Sequence, residues 1–206
     1  MEIVPFIFPS KDELIANSYL AIDSKKNCVL IDPSCKYDGI INFIKNNKLT
    51  LKAVLLTHGH FDHIKGLKLY MDAFNMPIYI DFNDVELLND PKKNCSILCN
   101  DYFQIDCQPL MVTDKEILNI LEEPIEVIET PYHTMGSVCY LFRDSGILFS
   151  GDTIFKMFLG RDDLPTSDRS LRKSSLDKLA VLDDDIKIYP GHGNSTTILN
   201  ERRNLR

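Results

Sequence analysis

Nowhere does this 206-residue chain stay apolar for the roughly 20 residues that a membrane-spanning helix needs. Its opening, Met1-Glu2-Ile3-Val4-Pro5, lacks the basic start and apolar stretch of an export signal. Positive charge is also in short supply. The 23 Lys and Arg face 30 Asp and Glu, for a net charge of −7. That balance argues against nucleic acid, whose phosphates are met by a basic excess. No block of like charge, no low-complexity tract and no internal repeat interrupts the chain. These absences predict a cytoplasmic protein that acts on small molecules, with neither a membrane nor nucleic acid as partner. They carry no signal for an oligomeric state. The chain is 44% hydrophobic and 26% charged, enough to bury a sizeable core, and one domain over residues 1–206 is expected.

Six cysteines are present, at 28, 35, 95, 99, 107 and 139. Without an export signal, a reducing compartment and free thiols are expected. Cys95, Cys99 and Cys107 have part of the spacing of a zinc knot but no histidine nearby to complete it. Buried or loop thiols are the expected outcome.

Histidine is scarce too, and none of it is scattered. Three of the five lie in Thr57-His58-Gly59-His60-Phe61-Asp62-His63. The others close Thr130-Pro131-Tyr132-His133 and Tyr189-Pro190-Gly191-His192. Hydrophobic patterning places each after a strand. Leu51 to Leu56 is a continuous apolar run leading into the histidine cluster. Ile125 to Glu129 leads to His133, Ile147 to Phe149 to Asp152, and Ile186 to Tyr189 to His192. Further strands are expected at Ile3 to Phe8, Ser18 to Ile22, Cys28 to Ile31, Pro77 to Ile80 and Val138 to Phe142. Helical spacing marks 37–46, 65–74 and 170–182, with a short helix at 84–88. The stretch 89–113 has no clear period, and reads either as a surface connection or as a loop over the site.

Side chains at strand ends gather on one rim of a sheet, where loops converge on a ligand. In an extended loop, residues two apart point the same way, so His58 and His60 can grip one ion. Asp62 and His63 then face a second. His133 completes a three-histidine set, an arrangement that leaves room for water on a catalytic zinc. Asp62, His63 and His192 make a second set, and the two oxygens of Asp152 suit a bridge between cations. Phe61 is expected beneath the loop. Two ions sharing a water can generate a nucleophile and polarise a carbonyl.

The run Thr57 to His63 resembles the Thr-His-x-His-x-Asp-His motif of the metallo-β-lactamase-fold hydrolases. The resemblance covers nearly the whole chain. It implies an α/β fold, a four-layer αββα sandwich with a dinuclear metal site at one edge. It implies that His58, His60 and His133 hold the first metal, that Asp62, His63 and His192 hold the second, and that Asp152 bridges them. Asp62 and Asp152 would thus also be catalytic. Two divalent ions are implied, zinc first, with iron and manganese as alternatives. Within that group, Thr130 to Tyr140, Phe149 to Phe155, Gly160 to Pro165 and the Pro190-Gly191-His192-Gly193 end are similar to the short bacterial branch of glyoxalase II. This implies hydrolysis of S-D-lactoylglutathione or a related thioester by a metal-bound hydroxide. Arg161 and Tyr140 are the candidates for substrate binding, with a local salt bridge as the competing role for Arg161. Where larger glyoxalase II enzymes have Gly-His-Glu-Tyr, this chain has Gly191-His192-Gly193-Asn194. Two alternatives stay open on the same fold. One is a persulfide dioxygenase using a single iron at His58, His133 and Asp152. The other is a lactonase or other ester hydrolase.

Overall fold

The computed structural model describes residues 1–8 and 15–205. The first sheet runs in chain order, β1 (Glu2–Phe6), β2 (Ser18–Ile22), β3 (Asn27–Ile31), β4 (Thr50–Leu55), β5 (Ile78–Asp81) and β6 (Leu110–Val112). Its first three strands are antiparallel. From β3 onward they are parallel, which requires crossovers. Two of these are helical, α1 (Asp38–Asn46) and the pair α2 (Phe61–Ile64) and α3 (Leu67–Ala73).

The second sheet is built from β7 (Ile117–Leu118), β8 (Ile125–Glu129), β9 (Val138–Phe142) and β10 (Ile147–Gly151). A small hairpin follows, β11 (Ile154–Phe155) with β12 (Phe158–Leu159). Then come α4 (Arg172–Ala180), β13 (Lys187–Pro190), β14 (Thr196–Thr197) and α5 (Ile198–Glu201). Their order across the sheet is β14-β13-β10-β9-β8-β7. The expected hairpin between β9 and β10 is present, with Phe142 opposite Ile147.

Strand alternation sorts the core into three layers. In β9, Val138, Tyr140 and Phe142 point between the sheets, where they meet Tyr19, Val29 and Leu55. The intervening Cys139 and Leu141 point outward, against Leu176 and Leu179 of α4 and Ile198 of α5. On the far side, Ile40, Ile41 and Ile44 share one face of α1. With Tyr70 of α3 they cover Leu20, Leu30 and Val54 of the first sheet. The layers are therefore helix, sheet, sheet, helix, the αββα sandwich expected. Strands covered on both faces explain why β9, and β2 and β3 after their first residues Ser18 and Asn27, are apolar.

The same alternation removes Tyr140 from the substrate-binding candidates. It lies in the inter-sheet core with no exposed surface. Its hydroxyl donates to the Leu56 carbonyl at 2.9 Å. Two segments also differ from expectation. Phe61–Ile64, expected in the histidine-rich loop, is a helical turn ahead of α3, and the short helix expected at 84–88 is a 3-10 helix over Phe82–Leu88. Cys28, Cys95, Cys99, Cys107 and Cys139 are free thiols. Among the described residues no helix is long and apolar enough to cross a membrane.

Candidate metal centre

All four strand ends deliver to one place. His58 and His60 follow β4 of the first sheet. His133, Asp152 and His192 follow β8, β10 and β13 of the second. The Val138 amide donates to the Thr57 carbonyl at 2.8 Å and ties the two rims together. His60 is extended (φ −68°, ψ 146°), and the chain then turns into α2. Asp62 and His63 thus leave on a helical turn rather than along the loop.

Three overlapping groups form: His58, His60 and His133; His58, His63 and Asp152; Asp62, His63 and His192. Within each, the donor atoms lie within 4.8 Å of one another. His60 Nδ1 is 3.0 Å from His133 Nε2. Asp152 touches both ends of the cluster. Its Oδ1 is 3.2 Å from His63 Nε2, and its Oδ2 is 3.5 Å from His133 Nε2 and 3.6 Å from His192 Nε2. Asp62 Oδ2 is 3.1 Å from His192 Nε2.

Outer hydrogen bonds decide which nitrogen His58, His63 and His133 present. His133 Nδ1–H donates to the Arg161 carbonyl at 2.8 Å. His63 Nδ1–H donates to Asp32 Oδ2 at 2.9 Å. Thr57 commits its own hydroxyl proton to Asp32 Oδ2 at 2.7 Å, so its oxygen accepts from His58 Nδ1–H at 3.1 Å. In the neutral form each of these three rings keeps Nε2 as a lone pair turned inward, the usual device for aiming a metal-ligating imidazole. His58 Nε2, His63 Nε2 and Asp152 Oδ1 are buried without a hydrogen-bond partner. Buried polar atoms are seldom left so. Neutral imidazole and carboxylate donors facing one another in this way fit divalent transition ions.

The electrostatics agree. Burial, reinforced by the neighbouring imidazoles, holds His58 well below the ordinary range. Burial and His133 push His60 down to about 3. Burial also lowers His133. These three rings are neutral and ready to ligate. Burial would lower His63 and His192 as well. Asp152 and Asp32 outweigh it at His63, and Asp152 and Asp62 at His192, so both rings are raised. Burial would raise Asp152, yet His63 and His192 hold its carboxyl well down.

Three supporting residues escaped the reading of the sequence. Asp32 ends β3 in a left-handed conformation (φ 49°), and besides His63 and the Thr57 hydroxyl it accepts from the Thr57 amide at 2.8 Å. Asp84 is fully buried and accepts from Gly59 N at 2.8 Å, Thr134 Oγ1 at 2.7 Å and Gly136 N at 2.8 Å. It clamps the loop carrying His58 and His60 to the loop carrying His133. Asn17 donates to the carbonyls of Pro190 and Gly193 at 3.1 and 2.9 Å and so fixes the His192 loop. Their one sequence signal is a place near a strand end, Asp32 just after β3, Asp84 soon after β5 and Asn17 just before β2, shared with many solvated loop residues. Gly191 has a steric role: a Cβ there would run into Asp152 Oδ1 and the His63 ring.

A family profile described as the metallo-beta-lactamase superfamily matches residues 12–192. The chain belongs to the metallo-β-lactamase superfamily. With this fold and these ligand groups it is a metallo-hydrolase. It is 33% identical over 192 residues to the hydroxyacylglutathione hydrolase GloC of Haemophilus influenzae, covering 91% of this chain and 90% of that one. It is 34% identical over 191 residues to the probable metallo-hydrolase YqgX of Bacillus subtilis, covering 91% and 89%. Among solved structures it is similar to the B3 metallo-β-lactamase BLEG-1, with a TM-score of 0.91, 31% identity and 98% and 97% of the two chains covered. It is also similar to TTHA1623 in a di-iron-bound form, with a TM-score of 0.83, 28% identity and 97% of each chain covered.

In front of this metallo-hydrolase centre lies a cavity of about 340 Å³. Phe61 helps to wall it, although it packs beneath the loop with little exposed surface. Cys95, Leu98 and Cys99 line it from the stretch 89–113, which is therefore a loop at the site rather than a remote connection. Arg161 lines it too, but its guanidinium makes two hydrogen bonds to Asp163, at 2.9 and 3.1 Å. Arg161 thus borders the cavity with its guanidinium in the local salt bridge to Asp163.

Proposed function

We propose that the chain hydrolyses a thioester, S-D-lactoylglutathione or a relative of it, at a dinuclear centre. In this reading His58, His60 and His133 hold one ion, Asp62, His63 and His192 hold the other, and Asp152 lies between them. Zinc is the expected metal. Iron is the main alternative, a choice supported by the di-iron form of TTHA1623. The observation that carries the reading is the set of overlapping donor groups, with the rings of His58, His63 and His133 each aimed by an outer hydrogen bond. The likeness to GloC along most of both chains supports a thioester as substrate.

Bound divalent ions supply Lewis acidity and a water of near-neutral pKa. The protein does the rest. Its three depressed histidines offer lone pairs without first losing protons. Asp62 and Asp152 stay anionic. Phe61, Leu98 and Phe155 give the cavity an apolar wall. A thiolate leaving group has a moderate pKa, so no strong general acid is required. None of the five histidines is left over for that role.

The test is metal content per chain and S-D-lactoylglutathione hydrolysis, measured on one purified sample. Two metals with turnover support the reading. One iron with oxygen uptake on glutathione persulfide and no thioester turnover replaces it with a dioxygenase. A second hydrolase reading, opening of a cyclic amide or ester, is favoured by the likeness to BLEG-1. Turnover of a chromogenic β-lactam or a lactone without thioester turnover would establish it.

A further inference from the structure

The space in front of the centre does not end at the first cavity. A second one, of about 430 Å³, shares Phe155, Leu159 and His192 with it and continues past Phe158 to Asn194. The β11–β12 hairpin forms its wall. The Phe155 ring meets the His192 ring edge-on, with centroids 6.0 Å apart, so the apolar surface begins at a candidate metal ligand. Beside the hairpin tip, Phe158 is 70% exposed and lines the second cavity. Leu98, on the wall of the first cavity, is 64% exposed. Among the described residues nothing covers these two apolar side chains, which border the groove. Positive charge is sparse there. The Arg161 guanidinium is taken up by Asp163, and among the described residues Lys156 is the one cation bordering the second cavity.

We propose that the substrate carries an extended apolar limb, an aliphatic or aromatic acyl chain, which lies from the metal centre along the β11–β12 hairpin. This deepens the thioesterase reading by naming the acyl group, and rests on it only for the bond that is cut. A short, polar hydroxyacyl group leaves Phe158 and Leu98 in water. A longer apolar chain covers them, and burial of each methylene is worth about fourfold in binding.

The experiment uses two series on the metal-loaded protein. The first is turnover of acetyl, butanoyl, hexanoyl and octanoyl thioesters of one small thiol. The second is calorimetric binding of the C4, C6 and C8 alkyl carboxylates. Affinity across the carboxylates decides the groove, and turnover decides the thioesterase. An affinity that rises roughly tenfold or more from C4 to C8, and rises less in Phe158→Ser and Leu98→Ser, is the expected result. The same affinity rise with no thioester cleaved keeps the groove and removes the thioesterase reading. An affinity that does not change from C4 to C8 overturns the groove, whatever the turnover.

Discussion

At His133 the Nδ1–H is held by the Arg161 carbonyl, so the ring can present only Nε2 to His60 and Asp152. Under the proposed assignment, His58→Ala removes a metal donor and Asp152→Ala removes the carboxylate between the two donor groups. His58→Ala and Asp152→Ala are each expected to lower kcat/KM by roughly 10³-fold or more, the scale seen when a cooperating set loses a member. Steady-state kinetics on folded variants, with metal analysis, checks this. Asp84 makes a different prediction. Burial carries its carboxyl up to about 6, above the ~3.9 of an exposed aspartate. The folded protein therefore binds that proton more tightly than the unfolded chain does. The stabilisation is complete below about pH 4 and is lost as pH rises through about 6. The neutral side chain of Asp84→Asn has no such slope. The stability gap between wild type and this variant should narrow by up to about 3 kcal/mol from pH 4 to pH 7. Urea unfolding at several pH values measures it, and a constant gap would contradict it.

At the scale of elements, each strand end does two jobs. It closes a hydrogen-bonded ladder and it launches a candidate ligand. The loop after β13 runs so close to the centre that Gly191 has no room for a methyl group. In Gly191→Ala, Asp152 and His63 must shift, and a displacement near 1 Å costs about 10²-fold in turnover. Hydrolysis should fall by that order while circular dichroism stays unchanged. Helix α4 is the contrasting case. It buries Leu176 and Leu179 against the second sheet, away from the metal face. Leu179→Ala should cost about 2–5 kcal/mol in stability with metal content per chain unaltered. A loss of metal in that variant, measured on the folded fraction, would show that α4 bears on the site.

For the molecule as a whole, the donor cluster spans the two sheets. His58 and His60 come from one and His133, Asp152 and His192 from the other. Ions bound there join the halves of the sandwich and bind the folded state alone. At a free metal concentration about 1,000 times Kd, the added stability is roughly 4 kcal/mol. In a chain of this size that corresponds to a rise in Tm of roughly 8–16 °C. Chelation should lower Tm by that amount and re-addition of zinc should restore it. An unchanged Tm after chelation would place the donors outside any tight site.

The seven candidate ligands and the strands that carry them were legible in the chain itself. Period-2 and period-3.6 patterning is local, and a run of three histidines and an aspartate within six residues is chemically specific. Asp32, Asp84 and Asn17 were not legible. Each is an ordinary polar residue until a partner from a distant loop arrives, and those partners meet only when two sheets stack. The same reason misled the reading of Tyr140, whose neighbours in the chain look like site residues while its own place in the alternation turns it into the core. The tertiary structure alone decided that 89–113 borders the cavity and that Arg161 is paired with Asp163. The sequence by itself determined which donor atoms exist. Packing decided where each one points, because direction depends on contacts between segments that lie far apart in the chain.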